Sequence, residues 1–165
     1  MAQNPTRNKV SETEFEKRRG INRVEVREGF AQVHISDLNE PLNDNRLKIL
    51  AAAKDANISL DFLKLTPDGM SFLVKEDQAN IVTSTFKDLG ANVAVEPGRH
   101  VVMVHAVNMR DEEGLIASIV LQAIKSGAAI GHVSDMHDRV LIVVGKDDSD
   151  RLKKQLEGNL IGAHA

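Results

Sequence analysis

Residues 20–26 read Gly-Ile-Asn-Arg-Val-Glu-Val, and a related stretch, Gly-Ala-Asn-Val-Ala-Val-Glu, returns about seventy positions later at residues 90–96. The similarity continues downstream in two further pairs: Val33-His34-Ile35 with Val102-Met103-Val104, and Phe72–Asp77 with Ile142–Asp147. Self-similarity at a fixed spacing indicates one architectural unit used twice. The repeat therefore predicts two small related units that share an interface, because a unit this short buries only a modest core by itself.

Composition limits the function classes. The 165 residues are 42% hydrophobic and 27% charged, which is typical of a soluble globular protein. A net charge of -3 without Trp or Tyr gives no reason to expect a nucleic-acid partner. Cysteine is absent, which excludes thiol chemistry. No apolar run approaches the roughly 20 residues that span a bilayer, and residues 1–19 lack an apolar signal core. We therefore expect a cytoplasmic protein with no membrane partner.

Hydrophobic periodicity predicts a β-α-β-β-α order in the first unit. The expected elements are strand Ile21–Val26, turn Arg27-Glu28-Gly29, strand Phe30–Ser36, a helix with Leu47, Leu50, Ala53 and Ala56 on one face, strands Leu60–Leu65 and Met70–Val74, and a helix with Ala79, Val82, Phe86 and Leu89 that ends at Gly90. Thr66-Pro67-Asp68-Gly69 is a hairpin turn, since Pro fixes φ and Gly supplies a positive φ. Val93–Val95 is expected to be the strand that follows.

The second unit repeats this order. Its expected elements are strand Val101–Val107, loop Asn108–Gly114, a helix with Ile116, Ile119, Val120 and Ala123 on one face that ends at Gly127, a hairpin of Ile130–Met136 and Arg139–Val144 around His137-Asp138, and a last helix with Ser149 as its N-cap. The C-terminal residues leave this unit without a clear final strand.

The element order predicts the α+β class, with two ferredoxin-like units whose antiparallel sheets carry the helices on one face. Ile21–Val26 precedes the first unit as Val93–Val95 precedes the second. We therefore predict that Ile21–Val26 pairs with the sheet of the second unit and completes it. The expected organisation is a flexible tail at 1–19, a first unit at 20–96 and a second unit at 97–165.

Catalytic signals are poor. The chain has no Gly-rich phosphate loop, no H-E-x-x-H, no G-x-S-x-G and no Cys nucleophile, so we do not expect an enzyme. The acidic clusters at 111–113 and 147–150 lie at a loop tip and a helix start, where they complement the helix dipole. His105 and His132 are predicted on strands that could be neighbours, which leaves a metal site open, although no zinc-like spacing is present. No cofactor and no metal are predicted.

The loop before the first helix of each unit is a better candidate site. Backbone N–H groups at a helix N-terminus favour a carboxylate. Residues Asp37–Leu42 in the first unit and Asn108–Leu115 in the second also supply polar groups that could bind the ammonium of a zwitterion. A plain polar connector explains these residues equally well.

In several segments the chain resembles the ACT-domain family, most closely the tandem regulatory region of aspartokinases. The segments that carry the resemblance are Asn22–Val26 with Ala31–Ile35, Ala56–Asp61, Asn108-Met109-Arg110 with Gly114-Leu115, Ala128-Ala129-Ile130 with Val133-Ser134, and Val140–Val144 with Lys146-Asp147-Asp148. Two positions depart from the family pattern. Its Pro-Gly is Pro41-Leu42 and Glu113-Gly114 here, and its Asn is Ser59 in the first unit and Ala129 in the second.

The resemblance implies a non-catalytic regulatory protein that binds a small amino-acid effector, of the lysine or threonine class, at interfaces between ACT units. It implies a homodimer or association with a catalytic subunit. The residues it assigns to ligand binding are Asp37, Leu38, Asn39, Glu40, Pro41, Leu42, Ile58, Ser59 and Asp61 in the first unit, and Asn108, Met109, Gly114, Ala129 and Ile130 in the second. Two alternatives stay open: an interaction module with degenerate pockets that only mediates assembly, and a small enzyme or metal protein on the ferredoxin-like fold.

Overall fold

The computed structural model describes residues 20–107, 109 and 111–159, so the expected tail at 1–19 lies outside the described residues. The chain is α+β. Its elements are β1 (Gly20–Ser36), α1 (Leu42–Asp55), β2 (Asp61–Thr66), β3 (Gly69–Lys75), a 3-10 turn (Glu76–Gln78), α2 (Ala79–Phe86), β4 (Asn92–Val107), α3 (Leu115–Lys125), β5 (Ile130–Asp135), β6 (Arg139–Gly145) and α4 (Lys146–Glu157). Both predicted hairpins and all four predicted helices are present.

The six strands form one antiparallel sheet in the order β2-β3-β1-β4-β6-β5. The long strands β1 and β4 pair along their whole length, with Val24 opposite Val104 and Val33 opposite Val95. The start of β1 therefore lies beside the end of β4, in the half of the sheet built by β5 and β6. This confirms the prediction that Ile21–Val26 completes the second unit.

Each half of the sheet has the ferredoxin-like strand arrangement. The first unit consists of the end of β1, strands β2 and β3, the start of β4, and helices α1 and α2. The second unit consists of the end of β4, strands β5 and β6, the start of β1, and helices α3 and α4. The two units are joined by continuous strands and share one sheet.

The predicted turn at Arg27-Glu28-Gly29 is wrong, because β1 continues through it. The pairing with β4 changes register between Arg27 and Phe30, and Gly29 has a φ of 78°. On the opposing strand Gly98 has a φ of 67°, and β4 likewise runs unbroken from Asn92 to Val107 where two strands were predicted. A glycine at positive φ inside a strand forms a β-bulge, which bends the strand without ending it.

The helices pack on one face of the sheet through two cores. In the first unit Val33 and Phe72 pack against helices whose buried residues include Ile49, Val82 and Phe86, and the Phe72 and Phe86 rings meet edge to face at 6.2 Å. In the second unit the residues buried under the helices include Val104, Ile142, Ile119, Leu152 and Leu156. Leu47 was predicted to face the core but is 63% exposed, because α1 turns Ile49 and Ala53 towards the sheet.

Alternate strand residues point to the other face of the sheet, away from the helices, and form a third buried cluster there. Its members are Phe30, Leu73, Val101, Met103, Leu141 and Val143, with Phe62 packed against it. This face is concave. Gly131 of β5 lies against the Gln32 side chain of β1. The charge of Lys64 in β2 contributes to lowering the pKa of His132 in β5. Since β2 and β5 are at opposite ends of the strand order, the sheet must curl around the third cluster.

Helix α4 begins three residues before the predicted N-cap. Its first turn is Lys146-Asp147-Asp148, with Gly145 in extended conformation before it. Acidic residues in the first turn complement the helix dipole. Ser149 is instead buried inside the helix, where its hydroxyl donates to the carbonyl oxygen of Lys146 and lies 2.9 Å from His100 Nδ1.

Candidate functional site

The loop between β1 and α1 and the first residue of α1 together contain six of the residues expected to bind a ligand, Asp37 to Leu42. The backbone N–H groups of Asp37, Leu38 and Leu42 already have partners in this conformation. Asp37 N lies 3.4 Å from a carboxylate oxygen of Asp68, and Leu38 N donates to the carbonyl of Asp68 at 3.0 Å. Leu42 N, at the start of α1, donates to Glu40 Oε2 at 2.9 Å. Glu40 thus occupies the helix N-terminus where a ligand carboxylate was expected.

The other predicted residues of the first unit lie at the far end of α1. Ile58 is buried, its N–H donating to the carbonyl of Ala53 at 2.9 Å. Ser59 N donates to Gln78 Oε1 at 3.4 Å, and Asp61 is exposed where β2 begins. Helix α1 has 14 residues, which at 1.5 Å per residue makes it about 21 Å long. One chain therefore does not bring Asp61 and the loop at 37–42 together.

The second unit has the same separation. Gly114 lies before α3 with a φ of 79°, while Ala129 and Ile130 follow the other end of this 11-residue helix. Met109 is 1% exposed and belongs to the core, so its side chain is not available to a ligand in this conformation. Ala129 N donates to Asp148 Oδ2 at 2.8 Å. Asn108 lies outside the described residues.

A cleft of about 400 Å³ opens on the concave face, and Asp61 is the one lining residue that the sequence analysis assigned to ligand binding. Its lining residues are Arg27, Asp61, Phe62, Met103, Ser134, Met136, Arg139 and Leu141. Met136 lies in the turn between β5 and β6, and the others come from five strands and both units. Long-range pairing brings them together, so no local motif in the sequence could have identified the cleft.

The concave face also carries a charged network beside this cleft. Arg139 donates to both carboxylate oxygens of Asp138 at 2.8 Å, through Nε and Nη2. This bond holds the pKa of Asp138 below its usual value and raises the pKa of Arg139. His105, which pairs with Arg139 across the strands, lies 3.2 Å from a carboxylate oxygen of Glu25. The face thus presents guanidinium groups next to buried apolar side chains.

The histidines do not form the conceivable metal site. His105 is on β4 and His132 on β5, and β6 lies between those strands, so the expectation that they are neighbours is wrong. Within residues 20–107, 109 and 111–159, no group of three or more His, Asp or Glu side chains is arranged to hold a metal ion. In the same residues, no helix has both the length and the apolar character to cross a membrane.

Comparison with known proteins defines the fold class. No protein-family model matches the sequence, and no curated protein matches it. Solved structures do match: the chain has the fold of the regulatory subunits and regulatory domains of aspartate kinase, two ferredoxin-like ACT units.

Three of these structures illustrate the similarity. The ligand-free regulatory subunit of aspartate kinase from Thermus thermophilus has a TM-score of 0.77 at 14% identity, over 86% of this chain and 100% of that chain. A structure of aspartokinase alpha and beta subunits has a TM-score of 0.76 at 17% identity, over 84% and 97%. E. coli aspartokinase III, solved with lysine and aspartate, has a TM-score of 0.67 at 13% identity, over 88% of this chain and 34% of that chain. At these identities the similarity shows the fold.

Proposed function

We propose that this chain is a non-catalytic regulatory protein that binds a small amino acid, of the lysine or threonine class, between ACT units of two chains. The observation that carries the proposal is the match to a regulatory subunit of aspartate kinase over 100% of that subunit. E. coli aspartokinase III, which has a similar fold in part of its chain, was solved with lysine and aspartate. The partner of a regulatory chain would be a catalytic aspartokinase subunit or a second copy.

The separation of the predicted residues along α1 supports a site between two copies. A ligand would contact both the loop at 37–42 and Ser59 only if the α1 helices of two chains lie antiparallel, so that the loop of one meets Ser59 of the other. A two-fold axis produces this arrangement twice. Strand β2 is an edge strand with Leu63 and Leu65 exposed at 45% and 57%, and such an edge is suited to pairing with another chain.

The loop geometry supports a carboxylate ligand. Glu40 is exposed, and its carboxylate accepts the N–H of Leu42 at the positive end of α1. A ligand carboxylate would replace the Glu40 carboxylate at this N–H. The exposed carboxylate of Asp37 would then bind the ammonium group of the same ligand.

A thermal-shift series with the twenty amino acids tests the proposal. An amino acid at about 100 times its Kd should add about 2.7 kcal/mol to the free energy of unfolding, and the melting temperature should rise accordingly. We expect lysine or threonine to give this rise. A screen in which no amino acid moves the melting temperature would contradict effector binding.

Mixing two blocked variants tests the two-chain geometry. Asn39 and Ser59 are exposed, so Asn39→Trp and Ser59→Trp should fold and each should lose the response to ligand. In a mixed dimer one site carries both Trp residues and the other carries neither. Since about half of the dimers in an equal, fully exchanged mixture are mixed, mixing should restore about a quarter of the binding sites. If the mixed sample recovers nothing, the site lies within one chain. Ser84→Trp, also at an exposed position, serves as the control.

An assembly module without a ligand is the second candidate, and the exposed leucines of edge strand β2 favour it. It predicts that sedimentation detects dimers with or without an amino acid, and that Leu65→Lys disrupts these dimers. It also predicts that no amino acid changes the melting temperature in the screen. The effector proposal instead predicts dimerisation together with a response in the screen.

A further inference from the structure

We propose that the concave-face cleft, defined by Arg27, Asp61, Phe62, Met103 and Arg139 with their neighbours, is a second binding site that holds one apolar α-amino acid within a single chain. It is separate from the helix-end loops of the interchain site. Its volume of about 400 Å³ lies at the lower end of the range for small-molecule pockets, roughly 300–1,000 Å³.

The charged side chains that line the cleft complement both charged groups of an α-amino acid. Arg27 and Arg139 both line it, and Arg27 forms no salt bridge with any described residue. Arg139 uses Nε and Nη2 for Asp138, which leaves Nη1 for a further acceptor. Guanidinium groups bind carboxylates strongly through paired hydrogen bonds. Asp61 lines the same cleft and supplies a carboxylate for the ammonium group.

The apolar part of the cleft matches an aliphatic or thioether side chain. Met103 and Leu141 line it and are each only 3% exposed, so its floor belongs to the buried third cluster. Phe62 packs against that cluster with a φ of 53°, an uncommon backbone conformation for an aromatic residue. The break in the β2–β3 pairing between Asp61 and Lys64 accompanies this conformation. A pocket with apolar walls and a few placed polar groups is the usual form of a small-molecule site.

The cleft joins the two units, so its ligand would act on both. Asp61 and Phe62 come from β2 at one end of the sheet, while Ser134 comes from β5 at the other end and Arg139 from the adjacent strand β6. A ligand bound between them would hold the two ends of the curled sheet together.

Methionine methyl resonances distinguish this site from the interchain site. The chain has five methionines. Met103 and Met136 line the cleft, whereas Met70, opposite Ile35 near the 37–42 loop, and Met109, in the loop before α3, report on the helix-end loops. In full-length protein with 13C-methyl-labelled methionine, titration with leucine or methionine should shift Met103 and Met136 and leave Met70 and Met109 in place. Shifts confined to Met70 and Met109, or none at all, would overturn the proposal.

Affinity measurements by calorimetry complete the test. Arg27→Gln should weaken leucine binding by about tenfold or more, since it removes a charge-assisted contact. Arg23→Gln, the same change four residues earlier on β1 and outside the cleft, is the control and should leave affinity within about twofold. N-acetyl-leucine and leucinamide, which lack the ammonium and the carboxylate respectively, should each bind less tightly than leucine. Equal affinity for leucine and leucinamide, or equal losses in both arginine variants, would refute the assignment. Circular dichroism melting of each variant verifies that it is folded.

Discussion

The two units make the same backbone contact with different chemistry at the junction after their first helix. In the first unit one neutral side chain makes both hydrogen bonds to the backbone: Gln78 accepts from Ser59 N–H through Oε1 and donates to the carbonyl of Asn57 through Nε2. In the second unit an ion pair does it. Asp148 accepts from Ala129 N–H at 2.8 Å, and Arg151, paired with Asp148, donates to the carbonyl of Gly127 at 3.1 Å.

The difference shows what the repeat preserves. A backbone N–H and a carbonyl at the end of a helix need partners. Each unit supplies them from the segment after its β-hairpin, which is the 3-10 turn before α2 in the first unit and α4 in the second. The residue types are free to change as long as one acceptor and one donor arrive at these positions. Ser59 and Ala129 therefore lie at positions whose backbone N–H groups are already used within the chain, and of their two side chains the Ser59 hydroxyl alone can hydrogen-bond to a ligand.

The largest change in the free energy of unfolding is expected from core substitutions at equivalent positions of the two units. Phe86 and Leu156 are related by the repeat and both are fully buried. Phe86→Ala should reduce the free energy of unfolding by about 3–5 kcal/mol, and Leu156→Ala by about 2–5 kcal/mol, because each leaves a cavity. Since β1 and β4 run through both units, each variant should still unfold in one transition, measured by urea titration with two spectroscopic probes.

If either variant unfolded in two transitions, with the unit that carries the substitution melting first, the two units would not form one cooperative structure. A matched surface change, Leu47→Ala on the exposed side of α1, should leave stability within about 0.5 kcal/mol. A larger loss in that variant would indicate that Leu47 is covered in solution, for example by a second chain.

Much of this fold could be predicted from the sequence because local signals agree with the global one. The Thr66-Pro67-Asp68-Gly69 turn, the amphipathic helices and the repeat all indicated the correct elements, and the repeat predicted the pairing of Ile21–Val26 with the other unit. The continuity of β1 and β4 was missed because Gly29 and Gly98 mark turns and bulges alike. Only the partner strand distinguishes the two, and that partner is about seventy residues away.

The candidate sites were less accessible to prediction. The loop at 37–42 was identifiable because a polar loop before a helix has a local signature. The concave cleft has none, since long-range strand pairing brings Arg27, Met103 and Arg139 together and Asp61 of β2 reaches them only after the sheet curls. The curl arises from strand twist and from the bulges at Gly29 and Gly98, neither of which has a fixed magnitude in the sequence.

A smaller effect is expected at the helix junctions. Asp148→Ala should reduce the free energy of unfolding by about 1 kcal/mol, since it removes both a hydrogen bond to backbone and an ion pair that is partly exposed. Gln78→Ala should reduce it by about 0.5 kcal/mol, because its two hydrogen bonds are neutral and exposed. Asp148→Asn is the matched control: it retains the acceptor and should recover most of the loss. If both Asp148 variants lost the same free energy of unfolding, and if added salt reduced that loss, the ion pair would contribute more to stability than the hydrogen bond to the backbone.

The smallest effect concerns Phe62 and His132, which the repeat relates and which both lie where the sheet ends approach each other. Burial, with Lys64 and His34 nearby, lowers the pKa of His132 below 6.5. Below about pH 6.5 the unfolded chain therefore binds a proton at His132 that the folded chain does not, so the free energy of unfolding falls until the pH reaches the folded pKa. His132→Gln should flatten this decline between about pH 7.5 and about pH 5, measured by urea unfolding, while His137→Gln at an exposed turn should not. If the two variants show the same decline as the parent, His132 does not feel the first unit, and the sheet is more open in solution than the curl implies.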